Sequence, residues 1–491
     1  MKSFQNGVTG KVRPVFLVFF ILLLSPSASE AQQDNLPPNI IFIICDQMRG
    51  DAFGAAGNSN AKTPNIDKLA ANGIMFRNNF ANNPVCLPSR ISMFSGMYPS
   101  QTGVLHNKHK GDWLTYNRSL PWYFKQAGYR TGYIGKNHTF VESELENFDF
   151  VSIRGREECR AYSKYVPPNW HSDIFWPEED CNPGKNTREA IEFIDQSSPG
   201  TPFFLHLSYF DPHPPYMAPS KYTSRYCSDE MELPEYIDPA RLGDRLAEHQ
   251  KALHYDRISE SDLKETMRYY HASVEWGVDH QVGEILQTLE NKGISNNTII
   301  VFTSDHGDFM GEYHMVRKGM FLYDALLHVP MIWHAPGHIK KGLSLDNMTQ
   351  NVDIFPTLLD FAGIEIPEKL AGRSLKNVMR GQQTIDDDFI IYASAVYGDL
   401  PDGYWDNPEP YFNPDSNIPF HTRVENITWT AQYRTVMART RDWKLILSES
   451  REPELYKMDR GHVEKENVYG QAQYLLVAEE LEQSIKTIWD W

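Results

Sequence analysis

Runs of apolar residues that end in a carboxylate set the frame of this chain. Asn39 to Cys45 is a short, β-branched apolar stretch followed at once by Asp46. Such a run reads as a strand buried on both faces, with its polar residues emerging at the carboxyl end. The pattern recurs at Thr298 to Ser304, followed by Asp305 and His306, and more weakly at Phe203 to Ser208, before Asp211 and His213. Between these runs, Pro64 to Ala71, Leu120 to Ala127 and His271 to Glu290 carry helical periodicity. Strands alternating with helices predict an α/β domain with a mostly parallel sheet, and ligands of such sheets sit beyond the carboxyl ends of the strands. Three polar clusters fall there, which places them around one cleft.

The texture changes near Arg380. Residues Asp399 to Phe420 are crowded with Pro, Asp, Asn and aromatics and read as a long surface loop. Trp443 to Ser448 and Glu454 to Met458 then read as short strands, and Gln471 to Trp489 as a closing amphipathic helix. The predicted organisation is a larger N-terminal α/β domain over 37–380 and a smaller α+β domain over 381–491, preceded by a targeting segment over 1–31. In that segment Lys2, Lys11 and Arg13 lead into the apolar run Val15 to Leu24, and Ser29-Glu30-Ala31 offers small residues for cleavage. The run is about half of the ~20 residues a membrane span needs. It reads as a cleaved secretory signal, with an uncleaved anchor as the alternative, so the mature protein is expected to be secreted or periplasmic without a stable membrane anchor.

Composition narrows the partners. The net charge of −17 disfavours a nucleic-acid partner, whose phosphates need a basic counter-surface. It also means that an anionic substrate has to be held by a local basic pocket against the overall field. An aromatic fraction of 13% fits a well-filled core, or a cleft on which sugar rings stack. Five cysteines, Cys45, Cys86, Cys159, Cys181 and Cys227, are present in a chain destined for an oxidising compartment. Cys45 reads as a buried small hydrophobe, Cys159 and Cys181 as the best candidate pair, and Cys227 has no evident partner. No Cys-x-x-Cys spacing indicates a structural zinc site.

Cys86-Leu87-Pro88-Ser89-Arg90, continuing to Ser95-Gly96, resembles the signature of the formylglycine-dependent type I sulfatases. These are members of the alkaline phosphatase superfamily. In that family a maturation enzyme oxidises the cysteine to formylglycine, whose hydrate is the nucleophile. An isolated Cys-Pro-Ser stretch could be an ordinary turn before a helix; four fixed positions and the Ser-Gly tail make that reading weak. The dyads Asp46-Gln47 and Asp305-His306 match the family's metal ligands. A lone Asp after a strand more often caps a helix, but two dyads at matching strand ends point to one cation. Oxygen-rich ligation suits Ca2+, or Mg2+, although His306 adds a nitrogen. Lys136 and His138 lie in a segment similar to Gly-Lys-x-His, His213 in Asp211-Pro-His-Pro-Pro-Tyr216, and Lys318 after the second dyad. The resemblance implies that Arg90 and Lys136 hold the nucleophile, that His138 takes its proton, that His213 protonates the leaving alcohol, and that Lys136, His213 and Lys318 grip the sulfate.

Thr63 to Ala70, Thr303 to Gly307, Val352 to Thr357, Glu454-Leu-Tyr456 and Glu466-Asn467 extend the resemblance over roughly residues 38 to 470. It implies a large mixed, mostly parallel sheet flanked by helices, and hydrolysis of an O-sulfate ester on a carbohydrate. A phosphonate monoester hydrolase or phosphodiesterase with the same centre is the alternative, and a silent glycan-binding protein a more distant one. Thr139 to Glu192, Ser220 to Asp262 and Ala393 to Thr430 match no shared motif and are where substrate choice is expected. Arg154, Arg156, Arg160, Trp170, His171, Trp176, Tyr404, Trp405, His421 and Arg423 are the candidate sugar contacts there.

Overall fold

The computed structural model describes residue 7 and residues 37–107, 118–155, 171–174, 177–252, 255, 258–384, 390–397, 433–459 and 462–489. The chain divides into the unit Met1–Leu36 and the unit Pro37–Trp491. The targeting segment, the loop expected over Asp399 to Phe420, and Cys159 with its expected pairing therefore lie outside the described residues. Cys45 and Cys181 are buried and Cys227 is exposed.

An eight-stranded sheet forms the centre of the main unit. Its strands are β1 (Asn39–Asp46), β2 (Ile74–Phe80), β3 (Arg130–Lys136), β4 (Phe150–Arg154), β5 (Phe203–Pro212), β6 (Thr298–Ser304), β7 (Met331–His334) and β8 (Leu343–Gln350), in the spatial order β8-β2-β7-β6-β1-β5-β3-β4. β1 lies parallel to both β5 and β6, and β3 parallel to β4 and β5; β7 alone runs antiparallel to its neighbours. The sheet is thus mixed and mostly parallel, as the apolar runs predicted. All eight residues of β1 are buried because helices cover both faces. Ile41 and Ile43 point into one core cluster and Ile40, Phe42 and Ile44 into another. Each fully buried side chain of this size contributes about 1.5–3 kcal/mol.

The helices that matter for the site are α1 (Pro64–Ala71), α2 (Cys86–Ser95), α3 (Leu120–Gln126), α4 (Asn182–Asp195), α5 (Glu260–Val274) and α6 (Gln281–Lys292). The stretch expected as a helix over His271 to Glu290 is the middle of a longer one: α5 and α6 run on through a π-helical turn at Glu275–His280. Gly277 in that turn lies so close to Asp211 at the end of β5 that an added Cβ would stand 2.5 Å from its carboxyl carbon. C-terminal to the main sheet, β9 (Ile391–Tyr397), β10 (Tyr433–Arg439), β11 (Trp443–Ser448) and β12 (Glu454–Lys457) form a four-stranded antiparallel sheet. The closing helix, Leu475–Ile488, buries Ala478, Leu481 and Ile485 in the same apolar cluster as Val436, Leu445 and Leu455 of this sheet.

Candidate active site

Register brings the two acidic dyads together. β1 and β6 are neighbours, with Cys45 opposite Ser304, so Asp46 and Asp305 leave the sheet side by side. Gln47 adopts a left-handed backbone with φ 70°, and its amide donates to the Asp305 carboxylate at 3.0 Å. Asp46, Gln47, Asp305 and His306 are all completely buried. His306 Nδ1 lies 2.8 Å from the Gly307 carbonyl, which makes it the donor and turns Nε2 toward the Asp46 and Asp305 carboxylates, 3.6 Å from each.

Cys86 opens α2 at the same place. The preceding turn is fixed by side chains: the Asn83 carboxamide oxygen accepts from the Val85 amide at 3.0 Å, and the Asn107 carboxamide oxygen caps the Leu87 amide at 2.8 Å. The Asn82 and Asn83 amides donate in turn to the Tyr392 and Ser394 carbonyls of β9. Cys86 Sγ stands 3.4 Å from Asp46 Oδ1, 3.2 Å from His306 Nε2 and 2.9 Å from Lys318 Nζ. One turn further along α2, Arg90 donates to Asp305 at 2.7 Å and to the Ser208 hydroxyl at 2.7 Å, while Ser89 donates to the Asp305 carbonyl. β3 ends in Lys136, whose ammonium pairs with Asp46. Lys318 Nζ also lies 3.0 Å from His213 Nε2 and 3.2 Å from His306 Nε2.

These charges shape the acidity of the centre. Burial by itself raises the Cys86 thiol, but Lys136, Lys318, His306 and a hydrogen bond from His138 together bring it well below its ordinary value. Asp46 is held below the usual carboxylate range: burial and Cys86 work against its charge, and Lys136, His213 and Lys318 outweigh them. Arg90 is driven further toward its charged form by Asp305 and Asp46 despite burial. The pocket stabilises negative charge at the Cys86 side chain, in a protein whose net charge is −17. The first turn of α2 adds the positive end of a helix dipole at the same point.

The ten residues singled out from the sequence are thus gathered at the ends of β1, β3, β5 and β6 and the start of α2, with Lys318 reaching in from the hairpin of Phe309–Met310 and Val316–Arg317. Asp46, Cys86, Asp305 and His306 offer ligand atoms within 4.8 Å of one another. Both side-chain polar atoms of Gln47 are buried without a partner, as is the Nη2 of Arg90. Two oxygen donors, one nitrogen and an unsatisfied carboxamide fit a hard divalent cation.

Sequence reasoning missed several contributors. Asn83 and Asn107 act through hydrogen bonds to backbone that no pattern encodes, and Ser208 sits inside a strand that reads as plain core. Of the candidate sugar contacts, Arg154 is paired with Glu189 and the His171 ring stacks on Tyr269 at 4.3 Å. Arg156, Arg160, Trp170, Trp176, Tyr404, Trp405, His421 and Arg423 lie outside the described residues.

Known proteins with this arrangement are recognisable. The family model described as Sulfatase matches residues 38–364. An arylsulfatase of Clostridium perfringens is 31% identical, the match covering 81% of this chain and 86% of the relative. The N-acetylglucosamine-6-O-sulfatase of Bacteroides thetaiotaomicron is 28% identical over 95% of this chain and 88% of its own. A structure solved in complex with its substrate D-glucosamine-2-N,6-O-disulfate superposes with a TM-score of 0.70 at 25% identity, covering 92% of this chain and 97% of that one. The phosphonate monoester hydrolase of Agrobacterium radiobacter shares the fold, with a TM-score of 0.73 at 22% identity over 92% and 95% of the two chains. A buried acidic pair, a cysteine at a helix start ringed by cations, and a family match across the body of the chain lead to one identification: this protein belongs to the sulfatase family and is a sulfuric ester hydrolase.

Proposed function

We propose that the protein removes O-sulfate from a sulfated carbohydrate, using a formylglycine formed from Cys86 and a divalent cation at Asp46, Gln47, Asp305 and His306. The observation that carries this is the position of the Cys86 side chain, between a dyad that can hold a cation and three basic groups, Lys136, His306 and Lys318, that favour its charged form. The carbohydrate part is supported by relatives named for N-acetylglucosamine-6-O-sulfatase and ulvan-active sulfatase activity.

The residues divide the work in a way the geometry permits. Asp46, Asp305 and Nε2 of His306 would hold Ca2+ or Mg2+, with the Gln47 carboxamide as the fourth donor. Such an ion supplies positive charge that binds a sulfate oxygen and favours the ionised nucleophile. A formylglycine at position 86 would supply a hydrated aldehyde as the nucleophile toward sulfur, with a second hydrate oxygen for release of sulfate. His138 lies against the thiol position and is suited to take the proton of that hydrate. Lys318 Nζ, 2.9 Å from Cys86 Sγ and 3.0 Å from His213 Nε2, stands between nucleophile and proton donor, where sulfate oxygens have to lie. His213 keeps Nδ1 on the Pro214 carbonyl at 2.8 Å, so Nε2 is the atom that would protonate the departing alcohol. Arg90 holds Asp305, and Lys136 holds Asp46, in the orientation a cation needs. Donors fixed in advance around a developing charge are where most of the rate enhancement in such sites arises.

The test is a sulfate-release screen on structurally defined sulfated oligosaccharides from animal and algal glycans, run beside an aryl sulfate and an aryl phosphodiester. Release of sulfate from one glycan class with little phosphodiester cleavage is expected. Much faster cleavage of the phosphodiester overturns the sulfatase reading in favour of the phosphonate hydrolase one. Glycan retention without sulfate release, by protein whose residue 86 is shown by peptide mass to be formylglycine, overturns catalysis altogether.

A further inference from the structure

Five non-glycine residues among those described have a left-handed backbone, and three of them, Tyr313 (φ 53°), His314 (φ 58°) and Arg317 (φ 71°), crowd the turn just before Lys318. Bulky side chains avoid this region, so a cluster of them persists only where the surroundings over-determine it. The turn is a short hairpin in which Phe309–Met310 pairs with Val316–Arg317. It leads directly to the one lysine whose ammonium touches Cys86, His213 and His306. The hydrogen-bond partners of that ammonium are a thiol and two imidazoles rather than a carboxylate. The backbone carrying the flexible lysine side chain therefore has to do much of the positioning.

The surroundings hold the hairpin from two sides. From the C-terminal segment, the fully buried Glu464 accepts the Tyr313 hydroxyl at 2.9 Å and the Asp324 amide at 2.9 Å, bracketing Lys318 in sequence. From the segment before α5, the Gln250 carboxamide donates to the Tyr313 carbonyl at 2.8 Å, the Tyr255 hydroxyl donates to the Val316 carbonyl, and His314 Nε2 bonds the Ile258 carbonyl at 2.6 Å. Pro234 packs on Gly311, where a Cβ would stand 2.8 Å from its ring. Pro234, Gln250, Tyr255 and Ile258 belong to the stretch in which substrate choice was expected. Here they brace the sulfate-side lysine.

We propose that Tyr313 and Tyr255 are positioning residues for Lys318: their hydroxyls lock a strained hairpin that presents its ammonium, already placed, to the sulfate oxygens. The proposal rests on the sulfatase reading above. Its test uses two single-oxygen deletions, Tyr313→Phe and Tyr255→Phe, each made in the full-length protein and in a Lys318→Ala background. The readouts are inorganic sulfate affinity by calorimetry and kcat and KM on an aryl sulfate, with a thermal melt to show that each variant is folded. Each tyrosine variant is expected to weaken sulfate binding about fivefold, the worth of one hydrogen bond, and to weaken it no further once Lys318 is gone. Unchanged sulfate affinity in both folded variants, or the same fold loss with and without Lys318, overturns the positioning role while leaving the sulfatase reading intact. A wild-type protein that neither binds sulfate nor cleaves a sulfate ester overturns that reading and this proposal with it.

Discussion

At the scale of single residues the site depends on a few atoms whose neighbours are charged. Cys86→Ala is expected to abolish turnover while leaving the fold intact, because the position is buried but small and its loss opens little space; retained sulfate release in an end-point assay overturns the nucleophile assignment. Asp305→Asn should do more than lower a metal affinity. It leaves Arg90, completely buried, facing a neutral amide where it had a carboxylate at 2.7 Å. A buried charge deprived of its partner costs about 3–5 kcal/mol. Urea unfolding should therefore show a loss of that order together with reduced calcium or magnesium content by elemental analysis, and normal stability in the variant would show that Arg90 is satisfied elsewhere. The ten candidate residues that the structure gathers were legible in the sequence because they fall in motifs of fixed residue types at fixed spacings. Asn83 and Asn107 were not, because a hydrogen bond to backbone leaves no spacing to read, nor was Ser208, whose bond to the Arg90 side chain joins residues 118 positions apart.

At the scale of elements the strand ends decide where chemistry happens, and their close approach is written into glycine. Gly135 precedes Lys136 with φ 105°, and a Cβ there would lie 1.9 Å from the Ser208 carbonyl of β5. Gly135→Ala should consequently cost several kcal/mol, on the order of 3 or more, through both strain and steric overlap, and should shift Lys136 away from Asp46. A variant with a wild-type chemical-denaturation midpoint would show that β3 and β5 can separate without penalty. The elements themselves were readable where hydrophobic period and length agreed: β1, β6 and α1 lie where the pattern put them. The expected helix over His271 to Glu290 crosses the π-turn at Glu275–His280, and the part that the pattern left out is the polar first half of α5 from Glu260. β8 escaped notice because a half-buried edge strand carries mixed residues, and β7 because four residues are too few to show a period.

The whole molecule is held together by buried polar networks as well as by its apolar clusters. Lys444 of β11 and Arg439 of β10, both buried, pair with Asp324, which follows the Lys318 hairpin, and Lys444 pairs with Glu464 as well. Three buried histidines and the partly exposed His328 are neutral chiefly through desolvation: His206, His249 and His328 fall to about 3 and His271 to about 4. Their folded values lie below the unfolded one near 6.5, so the unfolded chain binds more protons between those limits. Their contribution to stability is then fully present above about pH 6.5 and is lost as pH falls toward 3–4. Each such histidine can remove up to about 1.4 kcal/mol per pH unit in that window. His206 sits among the Phe42, Phe94 and Tyr133 rings with an unpartnered Nε2, so His206→Phe should make the thermal midpoint fall less steeply between pH 6.5 and 4 than in wild type. An unchanged slope would assign the acid sensitivity to other groups.

The sequence by itself determined the family, the candidate site and the class of the sheet. Reactive residue types cannot be exchanged without losing function, and apolar runs cannot be exposed without losing the core. Tertiary structure alone decided which backbone holds those residues still. The Lys318 hairpin is braced by Gln250, Tyr255 and Ile258 from one segment and Glu464 from another, and the Cys86 turn by carbonyls of β9. Such contacts join residues far apart in the chain through backbone groups that every residue possesses. They depend on distance and direction, which a one-dimensional pattern does not carry.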